Sequence, residues 1–255
     1  MYRQVIPRRA KSSRFRKNFT RVNFSIANPT GGINFGRVTT TQASRPGLRE
    51  IKRARLKLAL LQSAVRQMGL HRGGLGDLPV ETICREVEVS RVTFFNYFPH
   101  KAELLNYFLR VWCLERAVEQ IRQPLTGLRA LERIFLRGAE AREASSVFLN
   151  LISWIASLSA PPPEIEITRA ERFVLYPDDE RVFDVEIPHL RDLLARHVAE
   201  ARADGEIKSR LPDRELVAIF LTLLYGAPLA LHVSGEKDLH KRYRTHLQLL
   251  VTALQ

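Results

Sequence analysis

The chain has 255 residues and a formal net charge of +13. This length allows one large domain or two smaller ones, each with a sizeable buried core. The two cysteines, Cys84 and Cys113, form no CxxC pair, which argues against a disulfide-stabilised secreted domain and fits a protein of the reducing cytoplasm.

Positive charge is concentrated in the N-terminal half. Residues 1–47 contain ten Lys and Arg and no Asp or Glu, and residues 48–112 contain eleven basic and six acidic side chains. Residues 113–255 contain nineteen basic and twenty-one acidic side chains. This asymmetry indicates that the N-terminal half meets a polyanion and that the C-terminal half has another task.

Residues 1–47 show no hydrophobic period and are rich in Asn, Thr, Ser, Gly and Pro, so we predict a disordered basic extension. A solvated tail without function is an equal alternative. The extension is either a flexible arm that adds sequence-independent affinity for nucleic acid or the product of an upstream start codon. We favour the second interpretation.

Four helices are predicted next. Apolar residues recur at steps of three and four over 48–68, which indicates a helix whose first half is basic. Gly69 is its expected C-cap. A short helix over 79–87 follows, and Ser90 is a good N-cap for a third that Pro99 ends near Tyr97. A long fourth helix is predicted over 100–120.

The second and third helices fit a helix-turn-helix, whose second helix enters the DNA major groove with its N-terminal residues at the base edges. Arg91 can bind guanine, Thr93 can contact thymine or phosphate, and Asn96 can pair with adenine. Ser90, Tyr97 and Lys101 suit phosphate contacts. A small helical hairpin in an ordinary core is the alternative interpretation of this pattern.

The segment from Ile83 to Leu104, ICREVEVSRVTFFNYFPHKAEL, resembles the N-terminal domain of the TetR (tetracycline repressor) family of bacterial regulators. Its matching positions are Ile83, Val89, Ser90, Thr93, Tyr97, Phe98, Lys101 and Leu104. The resemblance implies an all-α fold with a DNA-binding domain over 48–112 and a ligand-binding and dimerisation domain over 113–255. The DNA-contact residues it predicts are Arg53, Ser90, Arg91, Val92, Thr93, Phe95, Asn96, Tyr97 and Lys101.

Two departures from the family pattern affect individual contacts. Glu88 occupies the position of the turn glycine, so the turn must form without a residue that adopts positive φ freely. Phe95 replaces a tyrosine and has no hydroxyl for a phosphate. The loop before Pro79 is also longer and glycine-rich.

The C-terminal half is also predicted to be helical, over 125–142, 144–159, 188–204, 214–232 and 236–254. Residues 160–187 show no clear helical period, and their structure stays open. Residues 216–233 contain no charge, which reaches the lower limit for a membrane-spanning helix. Gly226 and Pro228 interrupt this run, so a buried helix is the preferred interpretation and no membrane partner is expected.

The resemblance further implies a pocket for a small effector and a homodimer. The candidate pocket residues are Phe135, Phe148, Leu151, Trp154, Phe220 and Tyr225, with ordinary core packing as the alternative for each. Their character suggests an apolar or amphipathic effector. The dimer is expected to form through 214–254, on Ile219, Phe220, Leu223, Leu224, Ala227, Leu231, Leu247, Leu250, Val251 and Leu254, unless these are buried within one subunit.

No catalytic or cofactor motif was found: the sequence lacks a GxSxG elbow, a P-loop and HExxH. The scattered histidines have no metal-ligand spacing, so we expect neither metal nor cofactor. The leading hypothesis is a ligand-responsive transcription regulator, more often a repressor than an activator in our expectation. The competing hypotheses are an architectural or non-specific nucleic-acid binder and a helical enzyme or membrane-associated protein.

Overall fold

The computed structural model describes residues 45–70, 74–141, 144–160 and 162–255. These residues form ten α-helices and no strand, and all belong to one compact unit. The helices are α1 (Leu48–Leu70), α2 (Val80–Val87), α3 (Arg91–Tyr97), α4 (Lys101–Arg122), α5 (Gly127–Gly138), α6 (Ala144–Ala156), α7 (Arg169–Leu175), α8 (Leu190–Ala203), α9 (Asp213–Ser234) and α10 (Leu239–Leu254). The all-helical class predicted from the sequence is confirmed. Residues 1–44 of the predicted basic extension lie outside the described residues.

All nine predicted helices are present, with small shifts at their ends. Gly69 lies inside α1, which continues to Leu70, so the predicted C-cap position was wrong. Pro79 is the N-cap of α2 and not part of its first turn. The α10 helix starts at Leu239 because the Asp238 side chain caps it by accepting from the Lys241 backbone N–H at 2.8 Å.

The segment over 160–187 folds into α7 and a short 3-10 helix, Glu180–Asp184. A capping box between Thr168 and Glu171 starts α7. Arg172 then closes the segment by donating to the backbone carbonyls of Val182 at 2.9 Å and Val185 at 2.6 Å. These hydrogen bonds join residues ten or more positions apart, so the local hydrophobic period of the sequence does not predict them.

The N-terminal helices pack around α1, which contacts α2, α4, α6 and α7. Its buried positions include Ile51, Ala54, Leu58, Leu61 and Val65, as the helical period predicts. The α1 helix therefore joins the helix-turn-helix to helices of the C-terminal half.

The C-terminal core is built around α9, which packs against α6, α8 and α10. Its buried residues include Phe220, Leu224 and Pro228. Among the described residues, α9 is the one helix long and apolar enough to cross a membrane, a criterion that core helices of soluble proteins also meet. Its packing on three helices favours the core interpretation.

Most of the residues expected at the dimer interface on α9 and α10 face the subunit's own core, which is the alternative stated for them. Six of them are buried within the chain: Phe220, Leu224, Ala227, Leu231, Leu247 and Leu254. The exposed stripe of α9 instead contains Ala218, Thr222, Gly226, Leu229 and Val233. Because most of α9 is apolar on all sides, its sequence does not predict which face packs inside the subunit.

Candidate nucleic-acid interface

The turn between α2 and α3 places Glu88 in the left-handed conformation, with φ 59° and ψ 43°. It is the one non-glycine residue at positive φ in the described part of the chain. The backbone N–H of Val89 closes the turn on the Cys84 carbonyl at 2.9 Å. The turn thus forms with a glutamate where the family pattern has glycine.

Two aromatic residues anchor α3 in the small N-terminal core. Phe94 and Phe98 are almost fully buried, and their ring centroids lie 6.0 Å apart. Phe98 also lies 5.7 Å from the ring of Tyr107 on α4. This anchorage fixes the opposite face of α3 toward solvent.

The predicted base-contact residues lie on that solvent face. Arg91, Val92 and Asn96 are exposed, and the Val92 side chain keeps 71% of its surface accessible. Ser90 caps the helix by accepting from the Thr93 backbone N–H at 3.1 Å. The Ser90 and Thr93 hydroxyls also share a hydrogen bond of 2.9 Å, so a bound base or phosphate would compete with it.

Arg91 already has an acidic partner, which the sequence analysis missed. Its guanidinium forms an ion pair with Glu81 at the start of α2, and both side chains are about 60% exposed or more. Exposed pairs contribute little stability. The pair can therefore be exchanged for a stronger interaction between Arg91 and DNA.

The remaining predicted DNA-contact residues fall into two groups. Tyr97 is half-buried with the Arg53 guanidinium 5.8 Å above its ring centroid, so these two residues lie together at the end of α3. Phe95 packs edge-on against Phe94 at 5.2 Å. The Lys101 ammonium instead donates to the backbone carbonyls of Gly76 and Leu78, a structural role that competes with its predicted phosphate contact.

A carboxylate on α2 fixes the helix-turn-helix to α1. Glu86 accepts from Gln67 at 2.6 Å, from Arg66 at 2.9 Å and from the Ser63 hydroxyl. Burial raises the pKa of the Glu86 carboxyl, but these three hydrogen bonds outweigh burial and hold the pKa below its usual value. The sequence offered no signal for this residue, because its partners lie about 20 positions away.

The candidate effector residues are distributed over two places. Phe135 and Phe220 are fully buried, with Phe135 packed edge-on against Tyr243 at 5.2 Å. Phe148 and Tyr225 border this cluster at 6.4 Å from each other. Leu151 and Trp154 are buried on α6 outside the cluster. The structure thus brings four of the six together in a packed aromatic group.

Solved transcription regulators share this architecture. A candidate transcriptional regulator from Saccharomonospora viridis, in complex with choline, gives a TM-score of 0.52 at 16% identity and covers 78% of this chain and 96% of its own. A TetR transcriptional regulator from Streptomyces coelicolor gives 0.45 at 22% identity, covering 78% and 98%. GusR of Salmonella enterica gives 0.49 at 17% identity, covering 78% and 95%.

Neither a family model nor a curated protein matches the sequence. We rest the fold assignment on the Saccharomonospora viridis structure, whose TM-score exceeds 0.5. The chain therefore has the same helical fold as this solved transcription regulator.

Proposed function

We propose that the chain is a homodimeric, TetR-type transcription repressor that acts in the cytoplasm and is released from its operator by a small apolar or amphipathic effector. The observation that carries this proposal is the solvent face of α3, where Arg91, Val92 and Asn96 are exposed. No catalytic role is proposed.

The chemistry of this face suits major-groove recognition. A guanidinium can bond both acceptors of guanine, an amide can bond adenine, and an exposed valine can contact the methyl group of thymine. Phe94 and Phe98 are buried on the opposite face of the seven-residue helix α3. Its N-terminal end, capped by Ser90, can therefore enter the groove while these two residues stay in the core. Tyr97 and Arg53 lie together at its other end, where backbone phosphates would position the protein.

The homodimer is proposed through the exposed stripe on α9 and the neighbouring face of α10. Val233, near the C-terminal end of α9, is 80% exposed, and Leu249 on α10 is 67% exposed; contact with another apolar surface would cover both side chains. Two copies of this face would form a four-helix bundle across a twofold axis. Such a dimer would hold two α3 helices at a spacing set by the DNA repeat.

An effector site is proposed at the aromatic group around Phe135, Phe148 and Tyr225. Burial raises the pKa of the Tyr225 hydroxyl to about 12, so this group would stay a neutral hydrogen-bond donor on an apolar wall. A ligand that separated these rings would act on DNA binding through its different affinities for the two spacings of the dimer.

Capture of genomic DNA tests the proposal. Purified protein is offered sheared DNA from its source at physiological salt, and retained fragments are footprinted with wild type, Arg91→Ala and Arg196→Ala. Arg196 is an exposed arginine on α8 and controls for the loss of one charge. We expect a protected near-palindrome that Arg91→Ala loses by about 10- to 100-fold in affinity and that Arg196→Ala retains.

Retention of fragments without a shared site, equal for the two variants, would contradict the proposal. Loss of this retention after deletion of 1–47 would indicate binding through the basic extension alone.

A further inference from the structure

A cleft of about 730 Å³ lies between α1, α3 and α7. Asn96 and Tyr97 of the candidate DNA-reading helix form one side of it, Arg53 comes from α1, and Arg169 comes from the first turn of α7. The cleft thus combines the DNA-reading helix with a helix of the segment over 160–187.

The cleft has unneutralised positive charge. Its two carboxylates are already used: Glu50 accepts from the Gly47 backbone N–H at 2.8 Å, and Glu171 binds Lys57 at 2.8 Å. The three arginines that border the cleft form no ion pair with any described residue. They are Arg45, Arg53 and Arg169.

Aromatic rings orient these arginines without neutralising them. Arg169 lies 4.3 Å above the ring of Phe183, and Arg45 lies 5.0 Å above the ring of Phe173. The two phenylalanine rings stack at 6.4 Å. Because an aromatic face fixes the plane of a guanidinium but leaves its charge, each arginine remains available to an anion.

Arg169 also has unused hydrogen-bond donors. Its Nε and Nη2 atoms are buried and have no acceptor among the described residues. A buried donor without a partner is unfavourable. Arg169 also lines the cleft, so an anion in the cleft would meet the charge of its guanidinium although these two nitrogen atoms are buried.

A buried cluster fixes α7 beside the cleft. Glu171 is 2% exposed and accepts from the Tyr107 hydroxyl at 2.8 Å and from the Thr168 backbone N–H at 2.6 Å. Burial raises the pKa of the Glu171 carboxyl, but Lys57 and the hydrogen bonds outweigh burial and hold the pKa below its usual value. Arg169, two residues earlier, is therefore held in place relative to α1.

We propose that this cleft binds one backbone phosphate of operator DNA, and that Arg169 supplies the contact from outside the helix-turn-helix. The inference rests on the proposed function. Because α3 forms one wall of the cleft, a duplex docked on Arg91 brings its backbone past Asn96 and Tyr97. A fixed guanidinium at that place matches the tetrahedral phosphate better than a mobile lysine does.

The salt dependence of operator binding tests this contact. Affinity for the footprinted operator is measured from low to physiological salt for wild type, Arg169→Gln, Arg169→Lys and Arg196→Gln. We expect Arg169→Gln to bind about 3- to 10-fold more weakly and to lower the slope of log K against log salt by about 0.9, the value for one phosphate. Arg169→Lys should keep the slope, and Arg196→Gln should match wild type.

Ethylation of single phosphates gives a second measurement. One modified phosphate should block wild type and have no further effect on Arg169→Gln. Equal slopes for Arg169→Gln and Arg196→Gln would overturn the proposal, even with a normal footprint. A wild-type protein without any footprint would overturn the proposed function first, so the two failures are distinguishable. Thermal unfolding of each variant separates lost contact from lost fold. If Arg169→Gln is destabilised, Arg169→Met takes its place in both measurements, because it keeps the apolar stem beside Phe183 and removes the charge.

Discussion

The helix-turn-helix and the C-terminal helices differ in where their charged and apolar side chains lie. Around α3 the charged side chains lie on the surface, as the exposed pair between Arg91 and Glu81 illustrates. Two acidic side chains on α4 and α7 are instead buried: Glu115 is 8% exposed and Glu171 is 2% exposed. The exposed stripe of α9 from Ala218 to Val233 contains no charged side chain, and Val233 is 80% exposed.

This difference indicates that the N-terminal surface and the exposed stripe of α9 bind different partners. Exposed charges exchange water for a charged ligand at little cost, whereas buried charges are fixed by the fold. An exposed apolar stripe gains by contact with another apolar surface. The N-terminal surface therefore suits nucleic acid, and the α9 surface suits a second copy of the chain.

The largest expected effect is the loss of the dimer by Gly226→Glu. A Cβ atom added at Gly226, which is exposed, meets no atom within 4 Å in the subunit, and glutamate favours helix more than glycine does, so the subunit should fold. In the dimer, two carboxylates would be buried unpaired, which should raise the dissociation constant by about 100-fold or more. Analytical ultracentrifugation measures it.

The matched control is Ala199→Glu, at an exposed position on α8. It should sediment as wild type does. A Gly226→Glu protein that remains dimeric would refute the assignment of this stripe as the dimer contact.

Replacement of Glu115 by Gln tests the buried charge on α4. Burial raises the pKa of Glu115 to about 8. Since this pKa lies above its unfolded value, the folded state binds the proton more tightly, and stability falls as the pH rises from about 4.5 to about 8. Glu115→Gln should match wild type near pH 4.5 and exceed it by about 1–3 kcal/mol at pH 8.5.

Urea unfolding at the two pH values measures this difference. Glu132→Gln, at an exposed glutamate on α5, should change stability little at either pH. A constant difference between Glu115→Gln and wild type across this pH range would show that folding does not raise the pKa of the Glu115 carboxyl.

Replacement of Glu88 by Gly should stabilise the helix-turn-helix. The left-handed conformation costs a non-glycine residue about 1–2 kcal/mol, and the greater freedom of glycine in the unfolded chain offsets about half of this. We expect a gain of about 0.5–1 kcal/mol in the free energy of unfolding. Glu88→Ala also removes the charge but keeps a non-glycine residue in the left-handed conformation, so it should show no such gain. Comparing the two variants therefore separates the effect of backbone strain from the effect of charge.

The smallest effect is expected at Glu81. Glu81→Gln frees Arg91 from its exposed ion pair and removes a negative charge near the DNA. An exposed pair contributes about 0.2–1 kcal/mol, so operator affinity should rise by about two- to five-fold in fluorescence anisotropy. Weaker binding would mean that Glu81 orients Arg91 for the groove.

The sequence predicted what local periodicity encodes. The nine helices, the Ser90 cap and the exposed face of α3 follow from apolar spacing and from one motif. The sequence left 160–187 open although Thr168 and Glu171 have capping-box spacing, because the contacts of Glu171 with Lys57 and Tyr107 that hold α7 join residues more than 60 positions apart. Such contacts leave no pattern within a window of one helix.

Two features of the structure could not be predicted from the sequence. The α9 residues are apolar all round, so composition alone could not tell the internal face from the exposed one. Lys101 fits a phosphate contact by its position, yet it donates to two carbonyls of the loop before α2. Neither acceptor is a side chain, so no residue type signalled the bond.

The cluster of Lys57, Tyr107 and Glu171 has a consequence for how the protein opens. We expect amide protons in α7 to exchange with deuterated water only after the helix separates from α1. That separation breaks the bonds of the Glu171 carboxylate with the Tyr107 hydroxyl and the Lys57 ammonium. The seven residues of α7 should therefore exchange in the same cooperative unit as the centre of α1. A surface helix that begins after a proline-rich stretch would then be among the slowest-exchanging parts of the chain.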